Sequence, residues 1–199
     1  MKAALLIASA VVFVTVLSSQ SERAVWVATA AETWTPYVAV PIALGFAARH
    51  PSLPRVAFLG ALASALMVVG YYAIQPFYTG GRAIEMTDVY LYGALGVVTG
   101  SALAALATSV TRRVREPSRW LAGSCLVVVL NHLVNAIYMG WEVQSVTTSS
   151  GVVVIGQNLA DTLVAALVVC GYSCAVLAFA IARDHQAAAP TDRVPDSSR

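Results

Sequence analysis

Apolar residues dominate six stretches of this chain, and short polar segments break it between them. The stretches run from Ala3 to Leu17, Thr35 to Ala48, Val56 to Phe77, Val89 to Val110, Trp120 to about Gly140, and Gly151 to Ala182. A bilayer core needs about 20 mainly apolar residues per spanning helix, so each stretch is a candidate span and the segments between are tight turns. The pattern predicts an all-α polytopic transmembrane bundle with spans at about 3–18, 35–48, 56–77, 89–110, 120–140 and 153–182. These make one transmembrane domain over residues 1–184, and the Pro, Asp and Ser-rich residues 185–199 are expected to be a disordered cytoplasmic tail.

Local signals sharpen some of the boundaries. The first run is short enough to be a signal-peptide core, but no small-x-small cleavage site follows it, so it reads as a span. The segment after it, Ala24 to Ala31, is expected at the membrane interface. Trp34 and Tyr37 would anchor the second span, Pro36 suits a first helical turn, and Pro41 is expected to kink the interior. Gly80-Gly81 marks a turn. Gly96 and Gly100 form a small-xxx-small face that allows another helix to approach closely, so the pair is expected to serve helix packing or assembly.

Composition supports the membrane reading. The chain of 199 residues is 58% hydrophobic and 11% charged, against about 45–50% and about 25% in ordinary soluble domains. Six spans leave no room for a soluble catalytic domain. Orientation follows from charge: with the N-terminus inside, Lys2, Arg49, Arg55, Arg112, Arg113, Arg115, Arg119, Arg183, Arg193 and Arg199 are cytoplasmic, and only Arg23 and Arg82 lie outside. This positive-inside bias predicts both termini in the cytoplasm and a plasma-membrane location. The outer side carries Glu22, Glu32, Glu85, Asp88 and Glu142, five carboxylates against two arginines, a net charge of −3.

Ionisable residues at bilayer depth cost roughly 2.5–3.5 kcal/mol on insertion scales and therefore mark a structural pair or a function. His132 and Asp161 are the two expected there. His132 lies nine residues before Trp141 and Asp161 ten after Gly151, depths of roughly 13 and 15 Å at 1.5 Å per residue. Asn131 and Asn135 would join His132, and Gln157 and Asn158 would join Asp161, in one intramembrane polar site beneath an acidic rim of Glu32, Glu85, Asp88 and Glu142. Two readings stay open: an interhelical hydrogen-bond clamp, or a site for a small polar group or a proton.

The outer aromatics, among them Trp26, Trp34, Tyr37, Tyr71, Tyr72, Tyr90, Tyr92 and Trp141, read first as an interfacial belt. Cys125, Cys170 and Cys174 fall inside apolar runs and read as small buried residues. No phosphate-binding loop, dinucleotide fingerprint, nucleophile elbow or metal-ligand spacing occurs, so no cofactor, metal or nucleic acid is expected.

Val38 to Tyr72 combines a Gly and Ala-rich second span, a short Arg and Pro turn, and a third span closing in Gly70-Tyr71-Tyr72. With the Gly-rich fourth span and the Arg-rich segment after it, this resembles a family of small, uncharacterised integral membrane proteins of actinobacteria. The resemblance implies the membrane setting and topology and transfers no functional residue. The expected function is a small transporter or permease-like unit, or an accessory membrane subunit. Its expected partners are the lipid bilayer and a second copy or a membrane partner subunit. The alternative is an intramembrane enzyme acting by acid–base chemistry on a lipid-soluble, prenyl-like substrate, with Asp161, Glu142 or Glu32 as proton donor.

Overall fold

The computed structural model describes residues 2–20, 27, 30, 33–47, 52–73, 86–112, 117–141, 144–148, 151–155 and 159–186, and six long helices among the described residues form a bundle. The helices are α1 (Lys2–Ser19), α2 (Thr35–Ala47), α3 (Leu53–Ala73), α4 (Met86–Thr111), α5 (Pro117–Trp141) and α6 (Leu159–Gln186). Between α5 and α6, β1 (Gln144–Thr148) and β2 (Gly151–Ile155) pair antiparallel, with Gln144 opposite Ile155 and Thr148 opposite Gly151. Helix boundaries fall within a few residues of expectation at α1, α2, α4 and α5. The third helix starts earlier because Pro54 sits in a first turn, where its missing N–H costs nothing, and Ser52 accepts from the N–H groups of Arg55 and Val56 through its carbonyl.

The last expected span is corrected at its start. Residues 153–155 belong to β2, and α6 begins only at Leu159. The run Val152-Val153-Val154-Ile155 is β-branched throughout, which suits a strand paired with Val146 and Thr147 better than a helix. The tail also begins later than expected, since α6 continues to Gln186.

Among the described residues, three helices are long and apolar enough to cross a membrane: Leu53–Ala73, Met86–Thr111 and Thr162–Ile181. Shorter apolar helices occupy Ala3–Ser19, Thr35–Ala47 and Arg119–Val134. The outer surface of the bundle is apolar. Val98, Leu106, Val134 and Leu167 stand in the open along α4, α5 and α6, a distribution suited to lipid and hostile to water.

The shortest of these six helices is central. Almost every side chain of α2 from Thr35 to Phe46 is buried or half-buried, and α1, α3, α4, α5 and α6 all pack on it. Val40, Ala43 and Leu44 of α2 meet Leu6, Ala10 and Val14 of α1, Ala63 and Met67 of α3, Val128 of α5 and Leu177 of α6 in a single core. Phe13 stacks on Tyr172 with ring centroids 3.8 Å apart and planes 6° from parallel, which joins α1 to α6. Val27 and Ala30, from the segment expected at the interface, are instead buried with Leu17, Ala165 and Val169.

Close packing runs along small residues. A Cβ built on Gly60 would strike the Gly100 carbonyl oxygen and lie 2.6 Å from Ala104 Cβ, and one on Gly100 would strike Ser64 Oγ and lie 2.6 Å from the Gly60 carbonyl oxygen. At Gly45 the same test meets the Ala104 carbonyl oxygen at 2.6 Å. The backbones of α2, α3 and α4 are therefore in near contact, and Thr108 Oγ1 reinforces the seam by donating to the Gly45 carbonyl at 3.2 Å. Gly96 is less constrained, with Ser64 Cβ 3.4 Å from its notional Cβ. The Gly96/Gly100 face is thus occupied within the chain by α3.

Candidate functional site: a buried histidine at the end of the central helix

One stripe of α5 turns inward. Ser124, Val128 and His132 recur every four residues and are buried, while Leu126, Leu130, Leu133 and Val134 face outward. Because side chains four apart share a helix face, this stripe carries His132 against α2. The imidazole is only 5% exposed, and its Nδ1 lies 3.3 Å from Thr35 Oγ1, in the first turn of α2. Asn131 Nδ2 donates to the same hydroxyl at 3.4 Å. Thr35 itself is fully buried. Three polar side chains from two helices thus converge, and His132 Nε2 is buried with no hydrogen-bond partner among the described residues.

The inventory of the group bounds its protonation. A threonine hydroxyl has one proton and can accept from others. Thr35 Oγ1 accepts from the Asn131 amide and can either donate to His132 Nδ1 or accept from it, so the two tautomers of the imidazole differ in which of these the hydroxyl does. With Nδ1 accepting, a neutral imidazole carries its proton on Nε2, and the unpartnered atom is a donor. With Nδ1 donating, it is an acceptor.

Asn131 and His132 share Thr35 of α2 as their described partner. Asp161 is in the first turn of α6, because that helix starts at Leu159. It does not stand ten residues down a continuous helix. An acid in a first turn is favoured by the positive end of the helix dipole. The side chains of Asn135 and Asp161 lie outside the described residues, as do Gln157, Asn158, Glu32, Glu85 and Glu142. Asp88 is described: it is half-buried in the first turn of α4, near the exposed Tyr90 and Tyr92. Trp34 is also exposed, at the entrance of α2.

The cysteines are less buried than expected. All three are half-buried, and Cys125 and Cys174 are neighbours across the α5–α6 seam. No group of three or more His, Cys, Asp or Glu side chains suited to a metal occurs among the described residues.

Thr35 is the participant that sequence reasoning missed. The signal available was the length of its helix: 13 residues span about 20 Å at 1.5 Å each, short of the roughly 30 Å hydrocarbon thickness. No family model matches this chain, and neither a curated protein nor a solved structure matches it.

A truncation tests how tightly the three side chains depend on one another. His132→Leu leaves the buried Thr35 hydroxyl without its imidazole partner, and we expect a loss of about 1–3 kcal/mol for each group left unsatisfied. Thermal unfolding of the purified protein in detergent reads this directly. Wild-type melting would mean that Thr35 and Asn131 hold together without the imidazole.

Proposed function

We propose that the chain is a six-spanning integral membrane protein of the plasma membrane, with both termini in the cytoplasm, and that it works as a small permease-like unit. The span count combines the three long apolar helices with α1, α2 and α5, which the core binds into the same bundle. The orientation rests on ten of the twelve basic residues falling on one side. In this orientation Trp34, Tyr90 and Tyr92 belong to the outer aromatic belt.

The observation that carries the functional reading is the unsatisfied, buried Nε2 of His132 beside the N-terminal end of the short central helix. Interrupted or shortened helices whose ends lie inside the membrane form substrate sites in many transporters. A buried polar atom left unpaired is costly in a purely structural helix clamp, so the atom fits a site that receives something. The resemblance to small actinobacterial membrane proteins agrees with this setting.

Untargeted metabolite and lipid comparison of a deletion strain tests the reading. We expect one class of small molecule to change its distribution between cells and medium, and the strain carrying His132→Gln at normal protein level to show the same change. Conversion of a substrate to a new product, without redistribution, would replace the permease with an intramembrane enzyme.

A further inference from the structure

We propose that the part of α5 beyond Val128 is an arm latched to α2 through His132, and that protonation of the imidazole releases it. The device rests on how the helices pack and is independent of the permease reading.

The apolar attachment of α5 ends at Val128, which lies in the core with Val40, Leu44 and Leu177. From residue 129 to 134 only Asn131 and His132 turn inward, while Val129, Leu130, Leu133 and Val134 stand in the open. α5 packs mainly on α2 and α6, whereas α2 is also held by α1, α3 and α4. This stretch of α5 can therefore move without opening the core. Its described ties to α2 are polar: Thr35 Oγ1 lies 3.3 Å from His132 Nδ1 and 3.4 Å from Asn131 Nδ2.

A neutral imidazole keeps this latch in either tautomer, because the hydroxyl donates to Nδ1 in one and accepts from it in the other. An imidazolium strains it. Both ring nitrogens then carry protons, so Thr35 Oγ1 must accept from Nδ1 and from Asn131 together. Neither the threonine proton nor the Nε2 proton has a partner among the described residues. The charge would also be held at a position only 5% exposed, which is strongly disfavoured without a counter-charge. Among the described residues none faces the ring: α2 presents Thr35, α5 presents Asn131, and no charged group acts on it. Asp161 opens α6 with a side chain outside the described residues. A carboxylate there beside the ring would reverse the effect, and the experiment reads that sign.

Freed from α2, the imidazole takes up a proton near its ordinary value of about 6.5. Below that pH the released arm binds one proton more than the latched arm. The ratio of released to latched protein therefore rises by up to about tenfold per pH unit as pH falls. Above it both forms are neutral and the latch holds.

The test uses the full chain in lipid nanodiscs, with Cys125, Cys170 and Cys174 replaced by alanine and spin labels at exposed positions. One pair, Val134→Cys on α5 with Val98→Cys on α4, reports on the arm; the other, Phe58→Cys on α3 with Val98→Cys, reports on the fixed α3–α4 seam. Pulsed distance measurements run from about pH 8 to about pH 5, on either side of the imidazole's ordinary value. The first pair is expected to gain a second distance whose share grows on acidification, while the other pair stays unchanged. His132→Gln, which can hydrogen-bond but cannot take up a proton, should keep a single distance throughout. If that variant does not fold, hydrogen exchange of the wild type decides: relative to their intrinsic rates, amides beyond Val128 should exchange faster in acid and those of α3 and α4 should not. Distances unchanged down to about pH 5, a change that persists in His132→Gln, or a change in both pairs would each overturn the proposal. A latched population that grows on acidification would overturn it as well, because a carboxylate such as Asp161 would then be pairing with the imidazolium.

Discussion

Gly100→Leu is expected to abolish stable folding, whereas Gly93→Leu on the same helix is expected to have little effect. A side chain at Gly100 collides with Ser64 Oγ and lies 2.6 Å from the Gly60 carbonyl oxygen, and one of these obstacles is backbone. Overpacking that flexible side chains can absorb costs typically about 1–3 kcal/mol. Here α3 itself must move away from α4, and with it the contacts that α2 makes with both. The consequence is a loss comparable with the whole stability of a domain, about 5–15 kcal/mol. At Gly93 nothing lies within 4 Å of the added atom, so the same substitution meets only lipid. Gly96→Ala should be tolerated, since Ser64 Cβ is 3.4 Å away. Yield of monodisperse protein in detergent, followed by thermal melting, separates the three. A folded Gly100→Leu protein melting like the wild type would refute the α3–α4 seam.

A second large effect is expected from a charge on the outward surface. Val98 lies near the middle of α4 and is 65% exposed. In water, Val98→Lys at such a position would change stability by no more than about 0.5 kcal/mol. In a bilayer a lysine near the helix centre costs roughly 2.5–3.5 kcal/mol on insertion scales, because its long side chain must reach far to find water. Protein with Val98→Lys should insert poorly and melt well below the wild type in nanodiscs. Arg112→Lys, at an exposed position just beyond the helix, should insert normally. Equal insertion of the two variants would mean that α4 does not face lipid.

Much of the bundle was legible because a long apolar run admits few structures. Residues 56–73 and 89–110 have apolar side chains facing both neighbours and surface, and the helices there match the expected spans in all but their ends. Legibility failed where the same chemistry serves two structures. Val152 to Ile155 is apolar enough to open a span, but its β-branched residues pair with Gln144 to Thr147 across residues 149–150, and periodicity cannot separate a short strand from the start of a helix. That single misreading moved Asp161 from mid-helix to a first turn. The site was half legible for a related reason. Asn131 and His132 announced themselves as polar residues in an apolar run, while Thr35 stands 97 residues from His132 at the head of its own helix and looked like an ordinary end residue. Glycines show the same limit: Gly96 and Gly100 were visible as a spacing, but their partners Gly60 and Ser64 are found only by packing.

Cysteine-accessibility labelling tests the six-span topology most directly. In a background with Cys125, Cys170 and Cys174 replaced by alanine, single cysteines are introduced at Gly81, Ser118, Thr148 and Ala188. A membrane-impermeant maleimide should label positions 81 and 148 in intact cells, and positions 118 and 188 only after permeabilisation. Labelling of position 118 in intact cells, or of 81 and 118 from the same side, would contradict the account.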